Sequence, residues 1–126
     1  MILRYIILYV PEVATAMDFY ARAFGVERQF LHESGSYGEM ATGEARLAFS
    51  ALSLMAELGK EVATEPPERP SFELAFETAD VPAALARALG AGATLVQDTS
   101  EMPWGQTLAY VRAPEGTLVE ICTAVA

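Results

Sequence analysis

Residues 5–20, YIILYVPEVATAMDFY, read as an apolar strand, a turn and an amphipathic helix. Residues 73–88, ELAFETADVPAALARA, repeat that reading 68 positions later, with Val13 matching Val81. In the first copy, β-branched and aromatic side chains alternate over residues 2–10 until Pro11 and Glu12 stop them. Both faces of that strand are apolar, which predicts cover on both sides. A helix over about 14–24 follows, with Val13, Met17, Tyr20 and Phe24 on one face, Asp18 and Arg22 on the other, and Gly25 as its stop. Each copy then closes on short strands around a Gly-containing turn, TGEARLAFS at 42–50 and PEGTLVEIC at 114–122. Two copies of one unit predict a pseudo-symmetric fold whose site lies between them.

The segments between complete the pattern. VERQFLHES, YGEMA and ARLAFSA read as strands in the first copy. In the second, FELAFET is a strand and DVPAALARALGAG a helix capped by Asp80, with Pro82 in its first turn and Gly90 and Gly92 at its end. ATLVQD reads as a strand, TSEMPWG as a loop, and QTLAYVRA and TLVEICT as the closing strands. Residues 52–70 break the repeat: a short helical stretch at Leu54, Leu58 and Val62, then a linker marked by Pro66, Pro67 and Pro70. The predicted class is therefore α+β, a β-α-β-β-β module written twice, with module one at 1–52, a linker at 53–70 and module two at 71–126. A ferredoxin-like split βαβ has too few strands for these segments.

The composition narrows the function. A chain of 126 residues, 52% apolar and 20% charged, builds one ordinary core, burying about two-thirds of its unfolded surface. Its apolar runs are strand-sized and fall short of the ~20 residues of a membrane span. The N-terminus has no A-x-A-like cleavage site and reads as structure. The net charge of −9 argues against nucleic acid and against an anionic membrane surface. It suits a soluble surface or a cleft that attracts a cation. The single cysteine, Cys122, excludes an intramolecular disulfide and is expected buried and inert, which fits a cytoplasmic protein. No phosphate-binding loop, dinucleotide fingerprint, nucleophile elbow or C-x-x-C pair occurs, and one histidine cannot serve the several serines as a hydrolase base.

The doubled plan, the stretch AMDFYARAFG at 16–25 and the closing YVRAPEGTLVEI at 110–121 resemble the vicinal oxygen chelate superfamily of glyoxalases, extradiol dioxygenases, fosfomycin resistance enzymes and bleomycin resistance proteins. The resemblance implies two βαβββ modules forming a cup-shaped mixed sheet, commonly completed by a second subunit. In its metal-dependent members, a histidine on the first strand of each module and a carboxylate on the last strand of each converge on one divalent ion. The matching positions here are Tyr5 and Ala48 in module one and Glu73 and Glu120 in module two. Only two carboxylates remain, both in one half.

The leading expectation is therefore a homodimeric small-molecule binder without metal or other cofactor, sequestering an antibiotic or another cationic or aromatic compound. The expected ligand-binding residues are Tyr5, His32, Tyr37, Glu73, Trp104, Tyr110 and Glu120. Trp104, between Pro103 and Gly105, is placed to stack on a flat or cationic ligand or to cover a dimer seam. His32 reads as a strand histidine or a hydrogen-bonding cleft residue. The alternative is a divergent metal-dependent lyase, isomerase or dioxygenase holding its ion through Glu73, Glu120 and His32. A domain that binds a protein partner is the third class.

Overall fold

The structure, a computed structural model, describes residues 1–125; the last residue of module two, Ala126, lies outside them. The chain divides into two compact units, Met1–Ala21 with Gly25–Glu65, and Arg22–Phe24 with Pro66–Ala126.

The first unit contains β1 (Tyr5–Val10), most of α1 (Val13–Phe24), β2 (Glu27–Leu31), β3 (Tyr37–Ala41), β4 (Arg46–Ala51) and α2 (Leu52–Glu57). Its sheet has the order β1-β4-β3-β2, with β1 parallel to β4 and the other pairs antiparallel. Alternation sends Leu8, Val10, Leu47, Phe49 and Met40 into the core with Val13, Met17 and Tyr20 of α1. The Tyr20 ring sits tilted 5.2 Å from Phe49. Gly38 on β3 leaves room for the helix: a β-carbon there would overlap the Met17 sulfur and press on the Phe30 carbonyl. Gly25, at φ 70°, ends α1 in the left-handed conformation that its lack of a side chain permits.

The second unit repeats this with β5 (Glu73–Glu77), α3 (Val81–Gly90), β6 (Thr94–Glu101), β7 (Thr107–Arg112) and β8 (Leu118–Cys122), in the order β5-β8-β7-β6. Asp80 accepts a hydrogen bond from the Ala83 N–H at 3.1 Å and caps α3. Val81, Leu85 and Ala88 of α3 are buried, as are Ala109, Val111, Val119 and Ile121 on the strands. Phe24, from the last turn of α1, stacks on Phe76 at 4.7 Å and 16°. The described residues thus form an α+β fold of two four-stranded mixed sheets and three helices.

Two expectations need correcting. β1 begins at Tyr5 rather than near residue 2, and it is covered on one side only: Leu8 and Val10 are buried while Tyr5, Ile7 and Tyr9 are 44%, 42% and 44% exposed. Helix α1 supplies apolar cover to one face of a strand, so the apolar character of the other face is not explained by the core. β6 also runs on through Glu101, where a loop was expected from Thr99. Register shifts between Leu95 and Gln97 and between Gln97 and Ser100 let this polar stretch keep pairing with β7.

Candidate functional site

The sheet register decides which polar side chains share a face. In the second unit, Ala75 lies opposite Glu120 on β8, and Tyr110 of β7 lies opposite Glu120 on its other side. Phe76, Val119 and Ile121 turn toward the helix side, so alternation places Glu73, Tyr110 and Glu120 together on the other face. Burial raises the Glu120 carboxyl above the usual carboxylate range. A hydrogen bond with Glu73 and the Glu73 charge add to that rise, and the Tyr110 hydroxyl opposes it. Two carboxyls in hydrogen-bond reach repel when both are charged, which is why the Glu73 charge raises Glu120. Burial also pushes the Tyr110 phenol up, helped by the charges of Glu120 and Glu73. Arg112 is on the same face, but its guanidinium donates to the carbonyls of Pro67 at 3.0 Å and Glu68 at 3.1 Å. The carboxyl pair is left acidic, accessible and without that cation.

The first unit carries the matching face with different chemistry. Ile7 and Glu39 flank Ala48, and Tyr5 lies opposite Arg46. Superposing the two registers puts Tyr5 where the second unit has Glu73, Ala48 where it has Glu120, and Glu39 where it has Tyr110. The carboxylate has thus moved to the neighbouring strand. Glu39 is only 9% exposed, and both of its oxygens are occupied. Tyr37 donates its hydroxyl to Oε2 at 2.9 Å, and Arg46 Nη1 donates to Oε1 at 2.9 Å. Burial, then the hydrogen bond to Glu39 and its charge, push the Tyr37 phenol up to about 12.

Of the residues expected from sequence, Glu73, Tyr110 and Glu120 come together in the second unit, and Tyr5 and Tyr37 share a face in the first. His32 lies just past the end of β2, not within it. Its Nδ1 pairs with the Ser34 hydroxyl at 2.7 Å and accepts the Ser34 N–H at 3.0 Å, so it is spent on a local turn. Trp104 is 62% exposed on the loop after β6. Its indole N–H donates to Gln106 Oε1 at 2.9 Å, and the Gln106 amide donates to the Thr123 carbonyl at 2.9 Å. The indole is tethered by one hydrogen bond and most of the residue is exposed. Cys122 is buried, donates to the Phe76 carbonyl and has its thiol pushed up by burial and the charge of Glu120, the setting of an inert cysteine.

Glu39 and Arg46 were missed. Alternation in YGEMA places Glu39 on the face of Tyr37, and Arg46 lies two residues before Ala48, so the spacing carried both signals. A separate cleft of about 320 Å³ lies in the second unit between the end of α1 and α3, lined by Phe24, Phe76, Glu77, Asp80 and Arg87 among others. It contains none of the expected site residues.

A family model described as the Glyoxalase/Bleomycin resistance protein/Dioxygenase superfamily matches residues 2–121. The chain belongs to that superfamily. The fold agrees with solved glyoxalase-type structures. A glyoxalase-related enzyme from Fulvimarina pelagi superposes with a TM-score of 0.84 at 23% identity, over 98% of this chain and 88% of that one. A glyoxalase/bleomycin resistance protein/dioxygenase family enzyme from Burkholderia phytofirmans PsJN gives 0.81 at 21% identity, over 100% of both chains. TioX from Micromonospora sp. ML1 gives 0.73 at 20% identity, over 98% of each. A search of curated proteins returned no match.

Ala48 offers a methyl group and Tyr5 a phenol, and among the described residues no three His, Cys, Asp or Glu side chains group to hold an ion. Among them, too, no helix is long and apolar enough to cross a membrane.

Proposed function

We propose that this superfamily member binds a small cationic or aromatic molecule on the open face of its second sheet, without a metal or other cofactor, and sequesters it rather than transforming it. The observation that carries this reading is the hydrogen-bonded carboxyl pair Glu73 and Glu120, accessible and unbalanced by Arg112. A cation beside the pair relieves the repulsion between the two carboxyls, and the Tyr110 hydroxyl supplies a further polar contact. Trp104, hydrogen-bonded to Gln106 and largely exposed, is the stacking group we assign to such a ligand. Sequestration of an antibiotic of the bleomycin type is the most concrete form of this function.

The protein is further proposed to act as a homodimer in the cytoplasm. β2 and β6 are edge strands with exposed residues, among them Leu95 and Val96, and pairing with a second copy would cover them. Light scattering in solution tests this, and a monomer at micromolar concentration would refute it.

The binding proposal is tested by calorimetric titration with bleomycin and with the simpler cation 2-naphthylmethylammonium, on protein treated with chelator. Saturable binding that weakens about tenfold or more in Glu73→Gln and Glu120→Gln supports the site. Undiminished binding in both variants would move the site elsewhere. Binding or turnover that appears only after zinc, nickel or manganese is restored would favour the metal-dependent lyase or dioxygenase instead.

A further inference from the structure

The exposed apolar row on β1 and the arginine beside it are not used by the reading above. We propose that the open face of the first sheet, which carries the superfamily-matching positions Tyr5 and Ala48, is selective for a planar aromatic carboxylate: Arg46 takes the carboxylate, and the row Tyr5, Ile7 and Tyr9 carries the ring.

The arginine is built for this. Its Nη1 is fixed to Glu39 Oε1 at 2.9 Å, and the nearly buried Glu39 is itself anchored by the Tyr37 hydroxyl. That bond engages one corner of the guanidinium. Among the described residues the Nε and Nη2 donors make no hydrogen bond, and the side chain is 38% exposed. Those two nitrogens form the parallel fork that matches the two oxygens of a second carboxylate. With both Glu39 oxygens already occupied, Glu39 orients the fork without covering it.

The apolar row supplies the rest of the ligand. Tyr5 lies directly opposite Arg46 in the sheet register, so the row starts on the strand beside the arginine. Alternate residues on a strand are spaced so that Tyr5 to Tyr9 spans about 13 Å, the scale of a fused-ring acid. All three side chains are more than two-fifths exposed, and no core requirement accounts for their apolar character. A neutral or cationic ring would leave the fork unpaired. A free phosphate would fill the fork but leave the row uncovered. On a chain of net charge −9, recognition of an anion depends on this close two-point geometry and not on the long-range field.

The proposal is independent of the Glu73–Glu120 reading, and its test uses other variants. The full chain is titrated with 2-naphthoate, with 2-naphthylmethanol as the uncharged ring and inorganic phosphate as the ringless anion. Amide shifts on β1 and β4 report the site. Saturable naphthoate binding, about tenfold or more tighter than the alcohol, is expected. Arg46→Gln should lose about tenfold or more, Arg46→Lys several-fold because it keeps the charge but not the fork, and Ile7→Ser several-fold through the ring. Should Arg46→Gln fail to fold with Glu39 left unpaired, Arg46→Lys and Ile7→Ser decide the question. Naphthoate binding no tighter than the alcohol, or unchanged in those two variants, overturns the proposal. Phosphate that binds as tightly as naphthoate and is indifferent to Ile7→Ser overturns the assignment of the ring.

Discussion

Replacing Glu120 by glutamine tests whether the second-unit face is held in an electrostatically unfavourable state. Glutamine mimics the protonated carboxyl: its amide donates to Glu73, and its carbonyl still accepts from Tyr110. The Glu120 carboxyl is raised by burial and by Glu73, so the folded protein binds that proton more tightly than the unfolded chain does. Its stabilising effect is complete below the ordinary carboxylate range and is lost as pH rises through the raised value, because the folded state then gives up a proton it held well. Two carboxylates on the order of 4 Å apart repel by about 1 kcal/mol in water and about 4 kcal/mol near a protein surface. Glu73 is exposed, which calls for the lower part of that range, about 1–2 kcal/mol. Glu120→Gln should therefore be more stable than the parent by that amount at pH 8, about 3–8 °C in Tm for a chain of this size. The gain should fade toward pH 4.5, where the parent carries the proton. Urea and thermal unfolding of both proteins from pH 4.5 to 8 measures this. A difference that does not depend on pH, or a variant less stable at pH 8, would refute the repulsion argument.

Cation binding at the same face should tighten as pH rises through the Glu120 range, since the ligand competes with the proton; a flat profile in calorimetry would separate binding from the acid pair. Gly38→Ala should cost about 1–3 kcal/mol by overpacking against Met17, with Met17→Ala in the same chain giving less than the sum of the two losses. Denaturant midpoints measure it, and strict additivity would deny the contact. Asp80→Ala should cost about 1 kcal/mol through the lost cap of α3 and leave ligand affinities unchanged. In a spectrophotometric titration, one tyrosine should ionise near pH 12 and disappear from the curve in Tyr37→Phe.

Much of the architecture was legible because local signals agreed. Pro11 and Glu12, the helical spacing from Val13 to Phe24 and the stop at Gly25 mark the same boundaries that the backbone adopts. The repeat also carried information about the site. Aligning the copies put Tyr5 against Glu73 and Ala48 against Glu120, and the sheet registers place those pairs at equivalent points. Less legible was the extent of β6, since a polar run such as QDTSE has no strand pattern of its own and pairs only because β7 lies beside it.

The chain by itself determined the repeat, the order of its elements and which residue types stand at Tyr5, Ala48, Glu73 and Glu120, because each depends on residue type or short-range spacing. Tertiary structure decided what the remaining polar groups do. Whether a carboxylate is balanced depends on which strands are neighbours and in what register. Glu39 is paired because β4 brings Arg46 beside it, while Glu120 is raised by burial and by Glu73, and Arg112 donates instead to the carbonyls of Pro67 and Glu68. The same holds for β1, whose alternation showed two apolar faces but not that α1 would cover only one. Pairing and cover are properties of contacts between distant segments, and one-dimensional pattern does not contain them.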